Sequence, residues 1–189
     1  DRQKREGHAS GKEAVEQPAG DQSPDKACSA HRRQRNGSAA SLAIVEASVY
    51  GDPSFHRRLA AAVRSLRVGS PLDPATKAGP LIAPPTGNLL RALTTLEPGE
   101  HWLVEPRQLD DDGRVWSPGV RAGVRPGSWF HLTECFGPVL GLMRADDLDD
   151  AIASQNAPSY GLTGGLHSLD PKEIDHWLAV RLLLRAGDS

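Results

Sequence analysis

Gly137-Pro138-Val139-Leu140-Gly141-Leu142-Met143 is a short apolar run, and Asp146-Asp147 comes after it with Leu148, Ile152 and Ala153 behind. The run reads as a buried strand. The two aspartates read as caps of a helix that stops near Asn156. Working outward, Ser41-Leu42-Ala43-Ile44-Val45-Glu46 is a second buried-strand candidate. Asp52-Pro53 then supplies a cap and a first-turn proline. Phe55, Leu59, Ala62, Val63 and Leu66 come next at helical spacing, with His56, Arg57, Arg58 and Arg64 on the opposite face, so an amphipathic helix ends before Gly69. Strands that alternate with helices predict an α/β fold, a sheet with helices on its faces.

The remaining segments extend the pattern. Residues 71–85 are loop-like, and Leu89, Leu90, Leu93 and Leu96 suggest a helix closed by Pro98-Gly99. His101 to Val104 reads as a strand, Asp110-Asp111-Asp112-Gly113 as a turn, and Val115 to Val124 as extended chain kinked at Pro118-Gly119. Gly161-Leu162-Thr163-Gly164-Gly165-Leu166-His167 reads as a glycine-containing strand. Asp170-Pro171 opens a last helix through Ile174, Trp177 and Leu178. No internal repeat is visible.

Composition divides the 189 residues unevenly. Residues 1–37 hold almost no large apolar side chain beyond Val15, too little to offset the entropy of ordering them, and are expected to be disordered. Every Trp, Tyr and Phe lies from Ser38 onward, so the core must lie there. A formal net charge of −2 gives no electrostatic case for a nucleic-acid partner, and the local basic run His31-Arg32-Arg33-Gln34-Arg35 reads as solvated chain. Two cysteines, Cys28 and Cys135, make neither a disulfide framework nor a structural zinc site. Without a secretory apolar region or a membrane-length run, a cytoplasmic location with no membrane span is expected. Because the chain opens on Asp1 and not on Met, a fragment is expected. His56, His101, His131 and His167 stand apart without ligand spacing and read as structural or surface residues. The aspartates at 110–112 lack the glycine and closing glutamate of a calcium loop. Trp102, Trp116, Trp129 and Trp177 read as core or lid aromatics.

Three stretches are more specific than periodicity. Leu66-Arg-Val-Gly-Ser-Pro-Leu-Asp-Pro-Ala-Thr-Lys-Ala-Gly-Pro-Leu-Ile82 resembles the "VGxPxDxxTxxGPxI" segment of the aldehyde dehydrogenase superfamily. Glu134-Cys-Phe-Gly-Pro-Val-Leu140 is similar to its "ExFGPVL" motif, and Ala151-Ile152, Asn156-Ala157 and Tyr160-Gly-Leu-Thr-Gly164 come after it in the family's order. Gly161 to Asp170, the Trp177 helix and Arg91-Ala-Leu-Thr-Thr-Leu96 look most like the L-glutamate γ-semialdehyde dehydrogenase module of bifunctional proline-utilisation enzymes. The resemblance covers about three quarters of the chain. It implies an incomplete catalytic domain with a mostly parallel sheet flanked by helices over 38–178. Residues 1–37 are then a tail and 179–189 a divergent end.

The resemblance also implies chemistry. A cysteine thiolate attacks the aldehyde to give a thiohemiacetal, hydride passes to NAD, and a glutamate-activated water hydrolyses the thioester. Glu134 and Phe136 map onto the residues that touch the nicotinamide side of the cofactor. The carboxylate would accept from ribose hydroxyls, and the aromatic edge would hold the ring. The family's nucleophile sits after Gly-Gln-Lys/Arg and before Ser-Ala and a buried strand. Here Ser38-Ala-Ala-Ser-Leu-Ala-Ile-Val-Glu46 matches the residues after that cysteine and sets Gly37 in its place. Ala27-Cys28-Ser29-Ala30 carries the same words nine residues earlier. Either Cys28 is the nucleophile and the basic run loops out, or Cys28 lies in unrelated sequence and the nucleophile is missing. The second is favoured, because a disordered tail cannot hold a thiol beside the cation or helix end that activates it. Cys135, inside the motif, reads as a small buried residue.

No glycine-rich phosphate cradle, upstream general-base glutamate or downstream aldehyde-anchoring loop of the family is matched. Two functional readings remain. In the first, the chain is a fragment of an NAD-dependent L-glutamate γ-semialdehyde dehydrogenase of proline catabolism, inactive by itself and homo-oligomeric when intact. FAD would enter only with an upstream proline dehydrogenase domain. In the second, the chain is a non-catalytic remnant with at most a binding or oligomer-contact role.

Overall fold

The computed structural model describes residues 40–161 and 163–180. Four strands form one sheet in the order β1-β4-β3-β2. These are β1 (Leu42–Glu46), β2 (His101–Val104), β3 (Gly119–Val124) and β4 (Val139–Ala145). β1 and β3 both run parallel to β4, with Leu42 opposite Gly141 and Val120 opposite Leu140, while β2 closes the far edge antiparallel to β3. The fold is therefore α/β with a mostly parallel sheet flanked by helices, as the alternation of elements predicts.

Both faces of the sheet are covered, which explains why its central strands read as unbroken apolar runs and not as alternating ones. Successive side chains of a strand go to opposite faces. Ala43 and Val45 of β1, Val120 and Ala122 of β3, and Leu142 of β4 pack under α2 (Pro53–Arg64), against Leu59, Ala60 and Val63. Leu42, Ile44, Val139 and Met143 go to the other face. There they meet Ala92 and Leu93 of α3 (Gly87–Thr94) and Phe130 of α4 (Trp129–Leu132). A short α1 (Ala47–Tyr50) precedes α2, and α5 (Leu148–Asn156) and α6 (Pro171–Val180) come after β4.

The caps sit where their residue types indicate. Asp52 accepts from the Ser54 N–H at 2.7 Å ahead of Pro53, and Asp147 accepts from the Asp150 N–H at 2.9 Å. Two expectations are corrected, and two short helices are added. The helix expected to run through Leu96 stops at Thr94, because Arg121 of β3 takes the carbonyls of Ala92 and Thr95 and ends the spiral there. The described residues of the Gly161–His167 segment form no strand, since no partner strand lies beside them and Gly161, Gly164 and Gly165 offer no side chain to pack. α1 and α4, four residues each, have no periodicity to announce them. Among the described residues, no helix is long and apolar enough to cross a membrane.

Candidate functional site

The Glu134–Gly137 turn joins α4 to β4. It is tied to the sheet from in front and packed from behind. Gly119 N–H donates to the Pro138 carbonyl at 2.8 Å, which anchors the turn to β3. On the other side, Leu89 of α3 lies so close to Gly137 that any Cβ there would overlap its methyl groups. Glycine at 137 thus lets α3 back directly onto the turn.

This turn stands between two hollows. The larger, a cleft of about 1480 Å³, is bounded by β1, by the loop from Thr76 to Leu81, by the turn itself, and by the Tyr160 segment and Trp177. The smaller, about 330 Å³, lies over the loop from Leu81 to Leu89. Glu134 and Phe136 line both. Phe136 is 61% exposed, and Glu134 is exposed beside it, so an aromatic ring and a carboxylate are presented together at one lip. The Leu42 and Leu140 runs are neighbours in the same sheet, and β1, at the sheet edge, forms the cleft floor.

Cys135, between them, behaves differently. It is 6% exposed, and its Sγ contacts the carbonyls of Thr133 at 3.6 Å and Asn88 at 3.8 Å. Burial pushes its thiol up to about 11, with Arg121 and Arg91 opposing the rise and Glu134 adding to it. A thiol held protonated at neutral pH is a poor nucleophile. Folding therefore favours the protonated thiol, whose contribution to stability is complete below the ordinary thiol value of 9.0 and is lost as pH climbs to about 11. The expected result is an alkaline fall in thermal midpoint between those limits that flattens in Cys135→Ala. An identical fall in that variant would remove Cys135 as its source. Cys28 and Gly37, the two positions considered for the nucleophile, lie outside the described residues.

Sequence reasoning did not single out Tyr160 as a working residue, though it stands in the quoted Tyr160-Gly-Leu-Thr-Gly164 run. Its hydroxyl reaches the carbonyls of His131 and Thr133 at 3.2 and 3.1 Å, on the chain entering the turn. His131 is itself pinned, accepting from Gly127 N–H at Nδ1 and donating from Nε2 to the Ser154 carbonyl of α5. Among the described residues no group of His, Cys, Asp and Glu is arranged to hold a metal ion.

Comparison with known proteins agrees with this geometry. The Aldehyde dehydrogenase family matches residues 32–187. The chain is similar to Proline Utilization A from Corynebacterium freiburgense, with 52% identity and a TM-score of 0.71, over 76% of this chain and 15% of that one. It is 34% identical over 152 residues to the aminoacetaldehyde dehydrogenase of Pseudomonas aeruginosa, covering 80% of this chain and 30% of that enzyme. It is 32% identical to the NADP(+) succinate-semialdehyde dehydrogenase of Mycobacterium avium, over 78% of this chain and 32% of that enzyme. The chain thus spans about a third of the length of these two curated relatives.

Proposed function

This chain belongs to the aldehyde dehydrogenase family, and from that premise we propose that it is part of the catalytic domain of an NAD-dependent dehydrogenase that oxidises L-glutamate γ-semialdehyde to glutamate in proline breakdown. The observation that carries the reading is the pairing of Glu134 and Phe136 at the lip between the two hollows. The 52% identity to Proline Utilization A supports the choice of semialdehyde. The parent enzyme would be cytoplasmic and homo-oligomeric, with a small aldehyde as its substrate.

The lip suits a nicotinamide dinucleotide. A large aromatic face left open to solvent is the kind of surface a planar ring covers, and a carboxylate beside it can accept from ribose hydroxyls. When bound, that cofactor supplies the hydride acceptor. The chain's own residues would bind and orient it. Glu134 would hold the sugar and Phe136 would limit the ring's tilt. The Cys135 thiol, buried and held protonated, is a poor nucleophile there.

Saturation-transfer NMR on this chain tests the reading. Nicotinamide-ring protons of NADH are expected to show saturation transfer, and the signal is expected to fall about fivefold or more in Phe136→Ala, as the loss of an aromatic contact would require. Signal that is absent, or unchanged in Phe136→Ala and Glu134→Gln, would sink it. The chain by itself is expected to make no NADH from semialdehyde and NAD. In the second reading the chain is a non-catalytic remnant with at most a binding or oligomer-contact role; among the described residues the one thiol, Cys135, is buried and held protonated. Turnover that vanishes in Cys28→Ala would assign the nucleophile to Cys28 and exclude that second reading.

A further inference from the structure

We infer that Tyr160 is a positioning residue: its hydroxyl latches the chain entering the Glu134–Phe136 turn to the wall of the cleft. Two carbonyls distant in sequence from Tyr160 converge on that one oxygen. It reaches the carbonyls of His131 and Thr133 at 3.2 and 3.1 Å. The two carbonyls flank Leu132, where α4 ends and the turn begins. A phenol has one proton to give, so the two carbonyls share it.

The latch acts on the turn and leaves the body of the sheet untouched. α4 is already fixed to α5 through the His131 ring and the Ser154 carbonyl, so the helix itself does not depend on Tyr160. Thr133, one residue before Glu134, has no such second anchor to α5. Its carbonyl is held by Tyr160 and contacted by the Cys135 thiol. Removing the phenol oxygen should therefore loosen the short stretch that aims Glu134 and Phe136, while the helices and strands behind it keep their packing. That the stretch serves a cofactor rests on the proposed function. The latch itself does not.

Cys135 reports the looseness directly. In the chain carrying Cys28→Ser, Cys135 is the sole thiol and is buried. Its modification by a disulfide reagent without denaturant is expected to speed up about tenfold in Tyr160→Phe, the opening expected when one buried hydrogen-bonded group is lost. The thermal midpoint should move by only a few degrees. Low urea separates the causes: a local opening proceeds at a rate that barely responds to it. Unchanged labelling in Tyr160→Phe, or labelling that rises with urea along the global unfolding curve, would overturn the latch. NADH saturation transfer to the unsubstituted chain decides the cofactor reading separately, so failure of one is not mistaken for failure of the other.

Discussion

Glu100→Ala is expected to cost the fold about 3–5 kcal/mol, the penalty for stranding a buried guanidinium without its counter-charge. Arg121 sits in the middle of β3 with no solvent exposure, an unusual position for a residue that cannot shed its charge. It is tolerated because its two terminal nitrogens find partners, while its Nε and the Oε1 of Glu100 are buried without one. Glu100 pairs with it from the loop before β2, the carbonyls of Ala92 and Thr95 accept from it at 3.0 and 2.9 Å, and the Phe130 ring lies 4.4 Å from its guanidinium carbon. Glu100 also accepts from the Glu97 N–H at 2.8 Å, so it shapes the approach to β2. Desolvating two charges consumes most of what their attraction returns, so the pair is worth far less than the damage done by breaking it. The double variant Glu100→Leu/Arg121→Met should therefore be distinctly milder than the single one in urea melts. If the single change proves no worse than the double, the pair is not an obligate unit.

Phe130→Ala should cost a similar amount, about 3–5 kcal/mol, through lost burial and the cavity left behind. The ring is 1% exposed and fills the space opened by a glycine across from it. A Cβ at Gly141 would lie 2.5 Å from Phe130 Cε1 and 2.9 Å from Leu42 Cδ2. Ring and glycine are thus one packing decision, and the strand pair β1–β4 rests on it. Gly141→Ala alone should destabilise by about 1–3 kcal/mol through overpacking. Combined with Phe130→Ala it should fill part of the cavity, so the two changes should add to less than their sum. Strict additivity in thermal or urea melts would refute this account of the contact.

How much is legible in the amino-acid order varies with the range of the interaction. β4 is legible because a strand covered on both faces must be apolar along its length, β1 because its short apolar run packs into both core layers from the sheet edge, and α2 and α5 because an aspartate before a helix leaves a local mark. The Glu134–Phe136 lip is legible by a different route: three words in family order. The segment from Gly161 to His167 shows where this fails. Its glycines are compatible with close backbone approach and so suggest a strand, but a strand needs a neighbour, and none stands there among the described residues.

The amino-acid order thus determined the layer type, the parallel core strands, the helix caps and the identity of the turn residues. The layer type and the caps rest on periodicity or on groups within a few positions of one another, the parallel strands and the turn residues on motifs in family order. Only the tertiary structure decided that Arg121 finds Glu100 twenty-one positions away, that Leu89 seats against Gly137, and that Tyr160 closes on carbonyls 27 and 29 positions behind it. Those choices depend on which charges and hydroxyls lose their water when the sheet closes. Desolvation is a property of the packed whole, and no local pattern records it.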